Sequence, residues 1–330
     1  GLSFNRDKEL ILFDAGSESR SGDFHRVREG NDINNYFFNT SSYKSIGDKF
    51  FMSGSFVYNN FEETGARWGG TYNPYSGSPY LLADSLSGTS WNKENYNLSG
   101  GISYLLNDRW VLGCNIDYFA AVAAKQKDPR PEITLTSFMI APSFILKKET
   151  YNLGVNIGYK NRKEEIKYKT YKSSFTPTYF MFKGFGFHSK EIDYGFNRFQ
   201  TSSELFGGVQ FDKNFREMQN LTELRFKYSF EGIEDGSSTI IKEDGGDWVT
   251  MQIELNEQLK KTSGKNIHLF EGNFSFLNGE GTEYVQNRVK DGDNYKYITI
   301  AKNMKFKRQA VSGNISYNYL KMLDKNRIDW

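Results

Sequence analysis

Apolar and polar residues alternate with a period of two along much of this chain. From Trp110 to Tyr118, the residues Trp110, Leu112, Cys114, Ile116 and Tyr118 share one face, and Val111, Gly113, Asn115 and Asp117 share the other. The pattern returns from Tyr151 to Tyr159, where Tyr151, Leu153, Val155, Ile157 and Tyr159 alternate with Asn152, Gly154, Asn156 and Gly158. Such a segment is a β-strand with one apolar and one wet face. Aromatic side chains close both ends of the apolar row, as in a strand that crosses a bilayer with its rings at headgroup level. The same alternation marks strands around Tyr36–Tyr43, Phe50–Tyr58, Tyr96–Tyr104, Ile133–Lys147, Leu205–Phe211, Leu224–Glu231, Val249–Asn256, Phe270–Phe276 and Val311–Tyr319. Pro142 interrupts one of them, and a missing ladder donor predicts a bulge there.

Short and long connections take turns between these strands. Tight reversals are expected near Gly47, Asp108, Glu149, Gly264 and Lys325, with a wider one over Lys213–Gln219. Long loops are expected at 62–94, 163–198, 234–247 and 278–294, and a medium one at 125–132. Outer-membrane barrels alternate in this way, with hairpins on the periplasmic side and variable loops outside. Residues 1–30 read as an irregular segment or plug in which Leu10–Phe13 is a short strand at most, and 31–330 read as the barrel. About eleven complete strands and the start of another are visible, an odd and incomplete set for a barrel. The expected fold is therefore all-β, an antiparallel transmembrane β-barrel of about 14 strands (range about 12–16), with further strands expected beyond Trp330.

Composition narrows this little. Mean hydropathy is -0.65, yet a barrel gives every second residue to a polar lumen, so the value does not count against one. No run of about 18 apolar residues exists, which excludes a transmembrane helix. The net charge of +2 has both signs interspersed, without the basic stripe of a nucleic-acid binder. The single Cys114 cannot form an internal disulfide and reads as a buried or lipid-facing thiol. His25, His188 and His268 lie in no metal-ligand spacing. No export signal precedes Gly1, so a targeting segment removed before it is expected.

Candidate chemistry is sparse. Glu223, Arg225, Lys227 and Glu231 share a strand with an apolar opposite face, which makes them lumen-facing candidates. They read as mutually balanced charges rather than an acid–base pair. Asp291–Asn294 and Glu243–Asp247 are acidic and rich in turn residues, but follow no calcium-loop spacing and read as turns. No metal and no cofactor are expected. Arg67, Trp68, Tyr72, Tyr75 and Tyr80 are contact candidates, for a sugar ring or a partner protein. The stretch 163–198 is crowded with rings, including Tyr168, Tyr171, Phe175, Tyr179, Phe180, Phe182, Phe185, Phe187, Tyr194 and Phe196. Such rings either meet a partner or pack on one another, as an extracellular plug or as strand extensions above the membrane.

Three segments carry a family resemblance: Arg26-Val27-Arg28-Glu29-Gly30-Asn31-Asp32; Ala66-Arg67-Trp68 with Pro79-Tyr80-Leu81-Leu82-Ala83-Asp84-Ser85; and Asp128-Pro129-Arg130-Pro131. Together they resemble an uncharacterised outer-membrane β-barrel family of Bacteroidota, a domain of unknown function. The resemblance runs over most of the chain and implies a longer protein near a TonB-dependent receptor in nutrient or metal uptake. It assigns no catalytic residue. The expected function is a non-enzymatic accessory subunit of a surface or uptake complex in the bacterial outer membrane, in contact with its lipid. The alternatives are a diffusion pore for small solutes and a secreted soluble β-sandwich that binds glycans.

Overall fold

The alternation becomes one continuous antiparallel sheet. In the computed structural model the described residues are 9–84, 89–125, 127–171, 178–184, 186–192, 195–236, 242–292, 294–323 and 327–329. The strands are β1 (Leu10–Ser21), β2 (Asp32–Ile46), β3 (Phe50–Ala66), β4 (Leu82–Asp84), β5 (Thr89–Asn107), β6 (Trp110–Lys125), β7 (Arg130–Lys147), β8 (Tyr151–Lys169), β9 (Thr178–Phe182), β10 (His188–Ile192), β11 (Gly195–Phe215), β12 (Met218–Gly236), β13 (Glu243–Ser263), β14 (Asn266–Asp291), β15 (Asn294–Leu323) and β16 (Arg327–Asp329). Thirteen of them pair in the order β1-β2-β3-β5-β6-β7-β8-β11-β12-β13-β14-β15-β16. The other three form a small sheet, β10-β9-β4. No pairing joins β1 to β16 among the described residues, so the large sheet is an open barrel wall.

Register aligns the apolar faces across the strands. Phe144, Val155, Val209, Leu224, Leu255 and Phe274 are successive cross-strand partners from β7 to β14. Ile116, Ile140, Tyr159, Leu205, Tyr228 and Met251 form a second row. Val155, Val209 and Leu224 are 45%, 48% and 53% exposed, values foreign to a core. Both rows lie on the outward face. A continuous apolar belt of this extent does not persist in water, and it fits hydrocarbon. Cys114 sits on that belt between Leu112 and Ile116, as expected.

The sheet curls so that its polar face is concave. A single cavity of about 540 Å³ is lined from β2 (Tyr43), β3 (Phe51), β5 (Ser103), β7 (Met139), β11 (Gln210) and β12 (Arg225). Among the described residues no second sheet covers the concave face along its length, and the soluble sandwich is set aside. The short reversals lie at Gly47, Asp108–Arg109, 148–150 and Gly264 as expected. The wider one is also tight: β11 runs to Phe215 and β12 starts at Met218, with Arg216 at a left-handed φ of 42°. The reversal expected at 324–326 lies outside the described residues.

Three expectations are corrected. Residues 10–21, read as irregular, form strand β1, paired with β2 from Leu10↔Tyr43 to Ser21↔Asp32. Leu10 and Leu12 line the concave side while Ile11 and Phe13 lie on the opposite face, so both faces begin apolar and no alternation marks the strand. Residues 278–294 are not a long loop but the middle of a hairpin of 26 and 30 residues. It turns at Gly292 with φ of 62°. Above the belt both faces of a strand meet water, and the period-two signal disappears although pairing continues. The other three long loops shrink for the same reason, since β3, β8, β11, β12 and β13 extend into them. Pro142 carries no bulge: Ile140↔Tyr159 and Ser143↔Asn156 keep one register, and the ladder toward β8 merely skips Ala141 and Pro142.

Candidate functional site

Beyond the belt the strands change character. On β8, Lys163, Glu165 and Lys167 point outward, while Glu164, Ile166 and Tyr168 point inward and are buried. Charges on the outer face mark the level where the wall leaves the lipid. On the concave side at this level lies a lid built from residues 67–84 and the strands β9 and β10. Its strand β4 pairs with β9 (Leu82↔Met181, Ala83↔Phe180, Asp84↔Tyr179). Leu82 and Tyr179 pack on Trp91, Ala123, Ile133 and Ile166 of the wall. Tyr179 stacks on Phe196 with centroids 5.8 Å apart, and Tyr168 closes on Tyr179 at 4.6 Å. Gly70 is required here, because a Cβ would fall 2.6 Å from the Leu82 carbonyl oxygen.

Buried polar contacts lock the lid to the wall. Lys125 of β6 pairs with Asp84 of β4, both nearly inaccessible to solvent. Burial lowers the Lys125 ammonium from its ordinary range, and Asp84 opposes that shift. Arg198 of β11 is fully buried and is held within the wall, donating through Nε and Nη2 to Asp235 of the neighbouring β12, each bond 2.6 Å. Its Nη1 also reaches the Tyr80 carbonyl at 3.4 Å. Glu164 accepts the Tyr72 N–H at 2.7 Å and pairs with Arg162. Burial raises the Glu164 carboxyl, with Arg162 pulling the other way. A chain of amides runs from Asn35 through Asn59 and Asn95 to the Tyr72 hydroxyl, at 3.4, 3.0 and 3.1 Å.

The five contact candidates separate. Tyr80 is buried against Ile233, Trp248 and Phe306, and its hydroxyl donates to the Thr282 carbonyl at 2.7 Å. Burial raises its phenol, with Glu283 and Asp247 adding to the effect. Tyr72 is turned inward, edge-on to Phe119 at 6.1 Å. These two serve the lid and not a surface contact, because rings so apolar pack on the wall rather than stay in water. Arg67, Trp68 and Tyr75 stay exposed. Trp68 adopts a left-handed φ of 52° and meets Phe180 edge-on. Tyr75 accepts the Arg28 N–H at 3.0 Å and lies under the Arg26 guanidinium. Tyr171 and Phe187 are exposed as well, and Phe175, Phe185 and Tyr194 lie outside the described residues.

The lumen-facing candidates lie on the concave face, each with a partner. Arg225 donates to Glu223 at 2.6 Å, and Lys227 to Glu254 at 2.6 Å. Glu231 is 3.8 Å from Arg162. Below the lid the concave face leaves open space, including a cavity of about 990 Å³ near Asp108 and Glu149. Sequence reasoning missed Lys125, Arg198 and Asp235, whose signal was only a charge on the face opposite the apolar row. It also missed why the loop motifs exist. Gly30 donates its N–H to Glu63 at 2.6 Å, Asp84 holds Lys125, and Asp128 binds Arg130 at 2.9 Å and the Tyr171 N–H at 3.3 Å. The first two motifs touch the lid, through the Arg28 N–H on Tyr75 and through Asp84 on Lys125, and the third ties the β6–β7 connection to Tyr171.

A family model matches residues 1–330, the whole chain. The chain belongs to a family of unknown function (DUF6850). No curated protein matches. Solved structures are similar at low identity. The outer membrane transporter YddB from Escherichia coli is 8% identical over 78% of this chain and 39% of that one, with a TM-score of 0.38. The ferric yersiniabactin uptake receptor FyuA from Yersinia pestis is 6% identical over 96% and 61%, with a TM-score of 0.45. The copper transporter OprC is 8% identical over 96% and 42%, with a TM-score of 0.44. The chain thus spans between 39% and 61% of the length of these structures. What it does has to be argued from its own residues.

Proposed function

We propose that this chain forms the wall and lid of an outer-membrane β-barrel that works as a closed, non-enzymatic subunit of a surface or uptake assembly. The observation that carries this reading is the seated lid, which crosses the concave face from Trp91 and Lys125 to Thr282 and is fastened by the buried Lys125–Asp84 pair, by the Tyr72 N–H to Glu164 and by Arg198 to the Tyr80 carbonyl. A gate that opens freely is not built on buried ion pairs, since separating one strands a charge at several kcal/mol (roughly 3–5). The non-enzymatic reading is supported by the histidines. His25 and His188 bond backbone carbonyls, and His268 bonds the Tyr317 hydroxyl at 2.8 Å. The belt meets outer-membrane lipid. The exposed Trp68, Tyr75, Tyr171 and Phe187 are the surface offered to a partner, for which a TonB-dependent receptor is our candidate.

The open space below the lid favours the second reading, a diffusion pore. Single-channel recording in planar bilayers separates the two. The closed subunit stays silent as wild type and conducts once Asp84→Ala loosens the lid. Steady conductance of the wild type overturns the closed reading and leaves the pore. Pull-down in mild detergent tests the partner: loss of a co-purifying receptor on combining Trp68→Ala with Tyr75→Ala supports it, and recovery of the chain alone refutes it.

A further inference from the structure

One cavity under the lid is not explained by closure. It has a volume of about 220 Å³, lies beneath residues 76–78, and is lined from β8, β11, β12, β13, β14 and β15. A single water needs about 10–15 Å³ of such space, whereas drug-sized ligands take roughly 300–1,000 Å³. The cavity therefore has the size for one small solute. Its lining joins three cations, Lys160, Arg162 and Arg308, to two carboxylates, Glu204 and Glu231. Glu231 decides the matter. Its side chain is 8% exposed, and its Oε1 is buried without a hydrogen-bond partner. A buried carboxylate oxygen left in that state costs free energy that a donor would recover. Lys160 forms no ion pair among the described residues, and Arg308 spends one donor on the Gly77 carbonyl, at 3.2 Å.

We propose that this cavity binds a small hydroxylated carboxylic acid of the sugar-acid class. Its carboxylate would meet Lys160 and Arg308, and one of its hydroxyls would donate to Glu231 Oε1. Ser202 and Ser229, whose hydroxyls lie 3.3 Å apart, supply adaptable partners for the other hydroxyls. A neutral sugar fits less well, because the one lining ring able to stack, Trp248, is already packed against Phe306 at 5.5 Å and over Gly279. An inorganic anion without a hydroxyl, such as chloride or sulfate, fits less well because it offers Glu231 no donor.

The proposal rests on the seated lid, whose residues 76–78 form the cavity roof. The test is calorimetric titration of the detergent-solubilised full chain with glucuronate, alongside glucose. Saturable binding of glucuronate and none of glucose is expected. Glu231→Gln and Lys160→Met should each weaken it about tenfold or more, the range for a lost charged hydrogen bond. Lys160 is exposed on the lumen side, so its variant separates binding from folding. No heat with glucuronate or galacturonate, equal binding of glucose, or affinity unchanged in both variants overturns the assignment. The bilayer recording is run on the same preparation. Silence without binding rejects the cavity alone, whereas conductance rejects the lid reading from which it starts.

Discussion

Val209 tests whether the outward face meets lipid. It pairs with Val155 on one side and Leu224 on the other, and its side chain is 48% exposed. Val155 stands midway along the apolar run from Tyr151 to Tyr159. Eight steps at about 3.4 Å cover about 27 Å of strand, or about 21 Å of height at a tilt of about 40°, close to the ~25 Å apolar band of such barrels. Val209 therefore sits near mid-depth. An arginine on the lipid face at that depth costs about 2–4 kcal/mol, falling to about 0–1 near the interface. Val209→Arg is thus expected to lower unfolding free energy in liposomes by about 2–4 kcal/mol. Thr201→Arg, on the same face of β11 but level with the charged Lys163, is expected to lose at most about 1 kcal/mol. Gln210→Arg faces the concave side, opposite Glu223 on β12, and is expected to be nearly neutral. Denaturant titration of the three variants in one lipid gives the comparison. If Val209→Arg and Thr201→Arg cost the same, within about 0.5 kcal/mol, the outer face sees water and the membrane reading fails.

Three further outcomes concern the lid. Asp84→Ala leaves the Lys125 ammonium buried beside nothing of opposite charge on β4 and is expected to destabilise by about 3–5 kcal/mol in thermal or denaturant unfolding. Replacing both partners by leucine should recover most of that loss, and a double variant as unstable as the single one refutes the pairing argument. Burial raises the Glu164 carboxyl above its ordinary value of 4.5, so the folded lid binds that proton more tightly than the unfolded chain does. Its contribution is present at low pH and lost as pH rises through the raised folded value, so wild-type stability should fall relative to Glu164→Gln across that window; parallel curves in fluorescence-monitored unfolding would contradict this. Gly70→Val should unseat the lid without touching the belt, because its Cβ meets the Leu82 carbonyl oxygen, and protease sensitivity at residues 67–84 reads that out.

How far the chain could be read depended on what each face touches. From Tyr151 to Tyr159 one side meets lipid and the other a polar lumen, so composition alternates and the strand is plain. Two residues further, Asn161 and Lys163 face outward and Arg162 and Glu164 inward, and no contrast is left to read, although β8 continues to Lys169. The same loss turned the hairpin at Gly292 into an expected loop, whereas β1 was hidden because Leu10–Phe13 is apolar on both faces. The lid was half visible. A crowd of rings between 163 and 198 announced packing of some kind, but which rings turn inward depends on partners distant in sequence, such as Tyr179 on Trp91 and Tyr80 on Thr282. Periodicity carries no information about contacts at that separation.

This division explains why the recognisable motifs fall in loops. The belt demands only that alternate residues be apolar: Val209 could be Ile or Leu and the lipid contact would persist, because burial scales with area and not with identity. The lid demands particular atoms. Asp84 must end where Lys125 ends, Tyr72 must present its N–H to Glu164, and Arg198 must reach the Tyr80 carbonyl while its fork holds Asp235. A lysine in place of Arg198 would keep the charge and lose the fork. Lys125, Glu164 and Arg198 on the wall strands meet Asp84, the Tyr72 N–H and the Tyr80 carbonyl of the lid, so the contacts that demand particular atoms lie on both sides of that seam. The lid can leave the concave face only if the Lys125–Asp84 pair, the Tyr72 N–H bond to Glu164 and the Tyr80 contacts part together, so the loss of any one of them is expected to weaken the hold of the rest.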